Sequence, residues 1–264
     1  MSYILYTFKN RDDQDIEQWN DRDLETEIQS YETRTIVPVF EQFIINSMKL
    51  IEAGCGLGGW VHYFSQKGND IIGIEYDKRI VEKAKSFDSN INVINGDVNQ
   101  LAYSDNSFDG YISLGVIEHF QYGPQKALLE AKRLIKPDGL MFLTVPLLTQ
   151  SRRLFAHPLR NLYLKIYQLK GKSKYFGEYR YSKKELLSFL EACHFEVIYI
   201  GVDDYSKADR KRHIGLYADY FFLRQKRGKI WELNKIGMLI LQIFRLFPPW
   251  FFCSGILVVA KNKK

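Results

Sequence analysis

Leu50-Ile-Glu-Ala-Gly54-Cys-Gly56-Leu-Gly58-Gly59 decides how this chain is read. The apolar run Met48-Lys-Leu-Ile51 predicts a short strand that ends at the glycine cluster. Residues 60–67 then predict a helix with Val61 and Phe64 on one face. Glycines at such a junction let the backbone turn tightly and approach a ligand closely, and the helix N-terminus favours a negative group. Gly54, Gly56 and Gly59 also satisfy the dinucleotide spacing GxGxxG, so the glycines alone leave the ligand open.

Outward from this loop, strand-like and helix-like stretches alternate. Asp70-Ile-Ile-Gly-Ile74 is expected as a strand, and 78–86 as a helix with Ile80, Val81 and Ala84 apolar. Ile91-Asn-Val-Ile94 reads as a third strand and Asp109-Gly-Tyr-Ile-Ser-Leu114 as a fourth, with a helix over 125–135. Pro137-Asp-Gly139 signals a turn before a fifth strand over 140–145. This spacing means βαβ units and a mostly parallel sheet. After Pro146 the alternation stops. Residues 182–192 read as a helix, with Leu186, Leu187 and Leu190 apolar and Ser182 an N-cap three residues before Glu185. Phe195-Glu-Val-Ile-Tyr-Ile200 and Gly255-Ile-Leu-Val-Val-Ala260 read as the sixth and seventh strands.

The expected fold class is therefore α/β: a Rossmann-like, seven-stranded, mostly parallel sheet with helices on both faces, in one domain over 1–264. Within it, 1–46 is expected as an N-terminal helical lid and 47–146 as the cofactor-binding core. An insertion spans 147–181, and 182–264 holds the closing helix and strands with a second insertion over about 203–253. Both insertions are too long for plain connections, and insertions beside a sheet are where specificity is usually built.

Composition agrees with one large domain. The 264 residues are 46% hydrophobic and 26% charged, which excludes disordered, collagen-like and low-complexity chains. An aromatic content of 15% argues for a well-filled core. The net charge of +6 is unevenly placed: 1–30 holds 3 basic and 8 acidic residues, and 151–184 holds 10 basic and 1 acidic. Cys55, Cys193 and Cys253 are odd in number and far apart, so neither a disulfide framework nor a CxxC metal site is expected, and a reducing compartment fits. The first residues lack a basic n-region and a long apolar stretch, so no signal peptide is expected. The most apolar stretch, 246–260, is broken by Pro248-Pro249 and is shorter than the roughly 20 residues a spanning helix needs. A cytoplasmic protein is expected, with a peripheral contact at the inner face of the membrane as the alternative.

Carboxylates mark the ends of the expected strands. Glu75 closes the second strand about 20 residues after the glycine loop, where an acid can bind both ribose hydroxyls. Asp97 follows the third strand, and Ser113-Leu-Gly115 ends the fourth. Strand C-termini in a doubly wound sheet face one crevice, so these groups should converge. Asp109, opening a strand, reads more simply as a cap on the preceding turn.

The ordered set Glu52-Ala-Gly-Cys-Gly-Leu-Gly58, Gly73-Ile-Glu75, Gly96-Asp97, Phe108-Asp109, Gly115-Val-Ile-Glu-His119 and Leu134-Ile-Lys-Pro-Asp-Gly139 resembles the class I S-adenosylmethionine-dependent methyltransferases, in their small-molecule, type 11-like branch. The likeness covers roughly 48–146, and the last two strands match that family's closing hairpin. Dinucleotide binding falls behind, because Glu52 fits that fingerprint's apolar strand poorly and a second mononucleotide half is missing. The resemblance implies S-adenosylmethionine as cofactor, with Gly54, Gly56 and Gly58 on its methionine part and Glu52 near its amino group. It implies Glu75 on the ribose, Asp97 on the adenine amino group and the Val98 amide by the ring, with Ala53, Tyr76 and Leu114 lining the same site. A cofactor carrying a sulfonium and an ammonium suits a site rich in carboxylates.

Methyl transfer is an in-line displacement that rests mostly on positioning, and a general base is needed only where the acceptor loses a proton. His119 is the candidate base and Glu118 its orienting partner; the bland reading of His119 is a packed or capping residue. Relatives that use a metal carry Glu-x-x-Glu-His here, and Gly115 stands at the first of those positions, so no metal is expected. His157, His194 and His213 read as structural. Tyr31, Tyr175, Tyr179 and Tyr181 wall an acceptor pocket or belong to the core. A small-molecule acceptor comes first. A lipid or lipid-linked saccharide comes second, with a peripheral membrane contact over 230–252, because 230–247 is apolar on more than one helical face and Trp250-Phe-Phe252 follows the prolines near Arg224-Gln-Lys-Arg227. RNA comes third and nucleic acid is not expected, since no RNA-binding module is visible. A methyltransferase-like scaffold without activity is the non-enzyme reading, and its mark would be missing acids.

Overall fold

The computed structural model describes residues 2–8, 22–226 and 230–263. Its elements run β1 (Tyr3–Thr7), α1 (Leu24–Gln29), α2 (Val37–Phe43), β2 (Lys49–Ala53), α3 (Gly59–Gln66), β3 (Asp70–Glu75), α4 (Lys78–Phe87), β4 (Val93–Asn95), β5 (Phe108–Leu114), α5 (Gln125–Leu134) and β6 (Ile135–Pro146). A π-helical turn, Arg152–Ala156, then leads into α6 (His157–Leu169), followed by β7 (Tyr175–Arg180), α7 (Lys183–Ala192), β8 (Phe195–Asp203), α8 (Ile214–Asp219), α9 (Lys235–Phe244), α10 (Pro249–Phe252) and β9 (Gly255–Asn262).

Seven strands form one sheet in the order β4-β3-β2-β5-β6-β9-β8. β2 through β6 pair in parallel, and β9 lies antiparallel to both β6 and β8. The expected seven-stranded, mostly parallel α/β fold is the one observed. Successive side chains in a strand point to opposite faces, and β9 shows how this chain uses that. Ile256, Val258 and Ala260 enter the core under α5 and α7, while Leu257 and Val259 enter the core under α3 and α4. A strand apolar on both faces is what a sheet covered on both sides requires, with about 1.5–3 kcal/mol gained for each large side chain buried. Helix α4 buries Ile80, Val81 and Ala84, the expected stripe, and Asp77 caps it by accepting from the Arg79 amide. Ser182 and Glu185 form the expected capping box on α7.

Four expectations change. The N-terminal stretch is not helical throughout: Tyr3–Thr7 is a strand, paired antiparallel with β7 of the first insertion. Five residues, of which Leu5 alone is buried, are too short for a stable helix and find a strand partner about 170 positions away. β4 is shorter than expected, because Ile91 and Asn92 belong to the turn in which the Ile91 amide donates to Asp88 O. β6 begins at Ile135, which pairs with Phe108, while Leu140 pairs with Gly110. Residues 136–139 therefore bulge out, with Asp138 in the left-handed region. Asp109 does more than cap a turn: its two carboxylate oxygens accept from the Lys49 amide and the Lys136 ammonium, which pins the starts of β2, β5 and β6 together.

Candidate active site

The glycine loop is strapped to the sheet by its own backbone. Gly54 and Cys55 both donate amide hydrogens to Ile74 O, at 2.8 and 3.0 Å. Gly54, Gly56 and Gly58 all take left-handed φ values, which glycine adopts without strain. At Gly54 there is no room either: a Cβ would sit 2.5 Å from Val116 Cγ2, so the turn after β5 packs directly on the loop.

Glu75 closes β3 and reaches back to this loop. Its Oε2 accepts from the Gly56 amide and its Oε1 from the Asp77 amide, each at 3.0 Å. Glu75 pairs in register with Asn95 at the end of β4, and the Gly96 amide donates to Glu75 O. Asp97 follows at once, so both carboxylates stand at the same rim of the sheet. Asp97 Oδ1 accepts from the Asn99 amide and side chain, at 2.9 and 2.8 Å. Val98 and Ala53 are buried beside them, Leu114 is half-buried at the end of β5, and Tyr76 points outward, 75% exposed. The structure thus brings Glu52, Ala53, the glycines, Glu75, Asp97, Val98 and Leu114 to one rim, and leaves the Tyr76 ring at its edge.

Glu52 is the most unusual group at the rim. It is 3% exposed, and its Oε2 has no hydrogen-bond partner. Burial, then the nearby Glu27 and Glu75 carboxylates, push its carboxyl well above the usual range, and the Val61 amide offsets only part of this. Glu27 comes from α1, which the sequence motifs do not mark. It accepts from the Tyr31 hydroxyl at 3.0 Å, and Tyr31 stacks on Trp60 with ring centroids 3.7 Å apart. A Cβ at Gly59 would collide with that hydroxyl, so the start of α3 and the N-terminal segment fit only through a glycine. Neither Glu27 nor Tyr31 lies in a motif, and the run of acids in the N-terminal 30 residues was the one available signal. Tyr31 proves to be a core residue of this junction.

The turn after β5 carries the catalytic candidates. Glu118 is buried at 2% exposure, and His119 is half-buried. His119 Nδ1 lies 3.0 Å from Gly177 O of β7. A carbonyl only accepts, so Nδ1 carries the hydrogen in this contact. Tyr179 donates to Gln121 O across the same junction, Tyr181 is buried, and Tyr175 is exposed. His157 and His213 are structural: the first stacks on Tyr3, and the second caps α8 by accepting from the Leu216 amide.

The donor set fits a cationic nucleoside cofactor. Glu52 offers a buried acceptor with no partner, facing two further carboxylates, and the loop beside it is shaped by three left-handed glycines.

Comparison with known proteins agrees. Residues 51–143 match the family model described as a methyltransferase domain. A demethylmenaquinone methyltransferase of Staphylococcus aureus is 26% identical over 154 residues; the match takes in 54% of this chain and 61% of that relative's length. Among solved structures, a SAM-dependent methyltransferase from Methanosarcina mazei shares 17% identity at a TM-score of 0.58, covering 86% of this chain and 97% of that one. A chain of the complex between the Haloferax volcanii Trm112 methyltransferase activator and a methyltransferase shares 15% identity at a TM-score of 0.62, covering 95% and 97%. Residues 51–143 thus match a methyltransferase domain, and the chain shares its fold with solved SAM-dependent methyltransferases, the fold that the sequence motifs resemble.

Proposed function

We propose that this chain transfers a methyl group from S-adenosylmethionine to a small-molecule acceptor. The buried, unpartnered oxygen of Glu52 among carboxylates carries the reading, because a cationic ligand at that point offsets a burial that is otherwise unfavourable. Bound S-adenosylmethionine supplies a methyl group activated by its sulfonium. In this reading Glu52 and the glycine loop hold the methionine part. The Glu75 carboxylate, anchored at the end of β3 by the Gly56 and Asp77 amides, accepts from the ribose hydroxyls. Asp97 Oδ2, with Oδ1 engaged by Asn99, accepts from the adenine amino group. Where the acceptor must lose a proton, His119 Nε2 takes it, held by the Gly177 carbonyl, with Glu118 as its neighbour.

A second reading is an acceptor presented at a membrane surface, a lipid or lipid-linked saccharide, supported by apolar side chains that α6 and α9 expose. Among the described residues no helix is long and apolar enough to cross a membrane.

Calorimetric titration tests the cofactor reading. S-adenosylmethionine should bind with micromolar affinity, as cofactors and substrates typically do, and S-adenosylhomocysteine should compete. Asp97→Ala should weaken binding about tenfold, the worth of one charge-assisted hydrogen bond. His119→Ala should leave the binding heat in place and lower turnover once an acceptor is found. No heat and no competition would remove the proposal.

A further inference from the structure

Helices α6 and α9 each carry an apolar stripe that the fold does not use. On α6 the stripe is Leu159, Leu162, Ile166 and Leu169; on α9 it is Ile236, Leu239 and Ile243, with Leu246 in the turn just after the helix. The spacing 3, 4, 3 places four residues on one face of α6 and the spacing 3, 4 places three on one face of α9, and all eight residues are exposed. The opposite faces already supply the packing: α6 buries His157 and Leu164, and α9 buries Gly237 and Leu241. The stripes are therefore surplus to the core. Together with Phe247 and Trp250 they make up much of the large apolar surface that the described residues expose.

The π-helical turn that leads into α6 packs on α9, with the Phe155 and Phe244 rings 6.5 Å apart. Trp250 sits under the Lys183 ammonium at 5.3 Å. The chain leaves the sheet for the two insertions at Pro146 and Asp203 and re-enters from the second at Gly255, and both departures are paired in register with Gly255. The stripes therefore spring from the strand-end rim that holds the glycine loop and Glu75.

Charge decides what can cover this face. No acidic residue occurs in 151–177 or 233–263, while Arg153, Lys165, Lys170, Lys172, Lys174 and Lys235 are exposed. A second copy of the same face would set these cations against themselves. An anionic bilayer takes both features at once, the apolar stripe entering the acyl boundary and the cations meeting headgroup phosphates.

We propose that α6 and α9 form a docking face for an anionic lipid bilayer, with the candidate active-site rim held at the membrane surface. The inference stands on surface chemistry and does not require the cofactor reading. The test is flotation of the full chain, without cofactor, with phosphatidylcholine vesicles that contain or lack phosphatidylglycerol. The chain should float with the anionic vesicles at low salt, much less with phosphatidylcholine alone, and less again as salt rises. Leu162→Glu combined with Leu239→Glu changes two exposed side chains and should leave the melting temperature in place. It should lower vesicle capture by roughly a hundredfold, each buried leucine being worth about tenfold or more. The proposal is overturned if the wild-type chain stays at the bottom with anionic vesicles at low salt, or if the double variant floats as the wild type does. It is equally overturned if both vesicle types capture the chain alike. Sedimentation showing a dimer that the double variant dissociates, with no vesicle capture, would assign the face to a second copy instead.

Discussion

Glu52 concentrates the electrostatic argument at the scale of one residue. Burial and the carboxylates of Glu27 and Glu75 raise its proton affinity in the unliganded protein, so part of the population carries a proton above the ordinary range near about 4.3. A cation bound beside it reverses that balance and expels the proton. Affinity for S-adenosylmethionine should therefore climb with pH, by up to about tenfold per unit, and level off once Glu52 is ionised without ligand. Calorimetry in two buffers of different ionisation heat reads the released proton directly. A heat of binding independent of buffer across that range would mean that Glu52 does not face the cation. The residue's identity was legible in the motif; its raised proton affinity was not, because that depends on Glu27, which arrives from a helix 25 positions upstream.

At the scale of the element, local signals were strongest where a helix or strand is specified by its own residues. The capping box on α7 was visible as Ser182 three residues before Glu185, and the structure forms it: Glu185 N donates to Ser182 Oγ, and Ser182 N to Glu185 Oε2. Ser182→Ala should lower stability by about 1 kcal/mol. That is a fall of about 2–4 °C in melting temperature for a chain of this size, measurable by calorimetry. An unchanged melting temperature would show that packing of Leu186 and Leu190 alone holds the helix start. β1 was hidden for the opposite reason. Tyr3–Thr7 has no partner nearby in sequence, and its strand character is completed by β7, itself inside an insertion without periodic signal. Similarly, the apolar stretch read over 230–247 is helical only over Lys235–Phe244, because Asn234 caps the helix by accepting from the Gly237 amide.

At the scale of the whole molecule, a buried charge network ties both insertions to the sheet. The Asp219 carboxylate of α8 lies 2.9 Å from Arg152 Nε and 2.6 Å from an Arg180 guanidinium nitrogen, with all three side chains almost fully enclosed. Arg152 also donates to Leu147 O and Ser254 O, and Arg180 contacts His157. Burial alone would raise the Asp219 carboxyl, but the two guanidiniums outweigh it and hold it far below the usual range. Burial, then the Arg180 charge, lowers the His157 imidazole to about 3, so it stays neutral while the arginines are paired. Asp219→Asn leaves the buried Arg152 without a counter-charge and Arg180 with Glu178 alone, and should cost about 3–5 kcal/mol. The urea midpoint measures it, and a loss under about 1 kcal/mol would mean that solvent reaches the network.

The sequence by itself determined the sheet, its parallel core and the rim at which Glu52, Glu75 and Asp97 meet, because strand periodicity, turn glycines and strand-end acids are local signals written within a few residues. Tertiary structure alone decided what surrounds that rim. The packing of Glu27 and Tyr31 on the start of α3, the β1–β7 pairing and the Asp219 network each join segments far apart in the chain. In each such contact at least one partner carries no periodic or motif signal of its own, so only folding brings its chemistry into being.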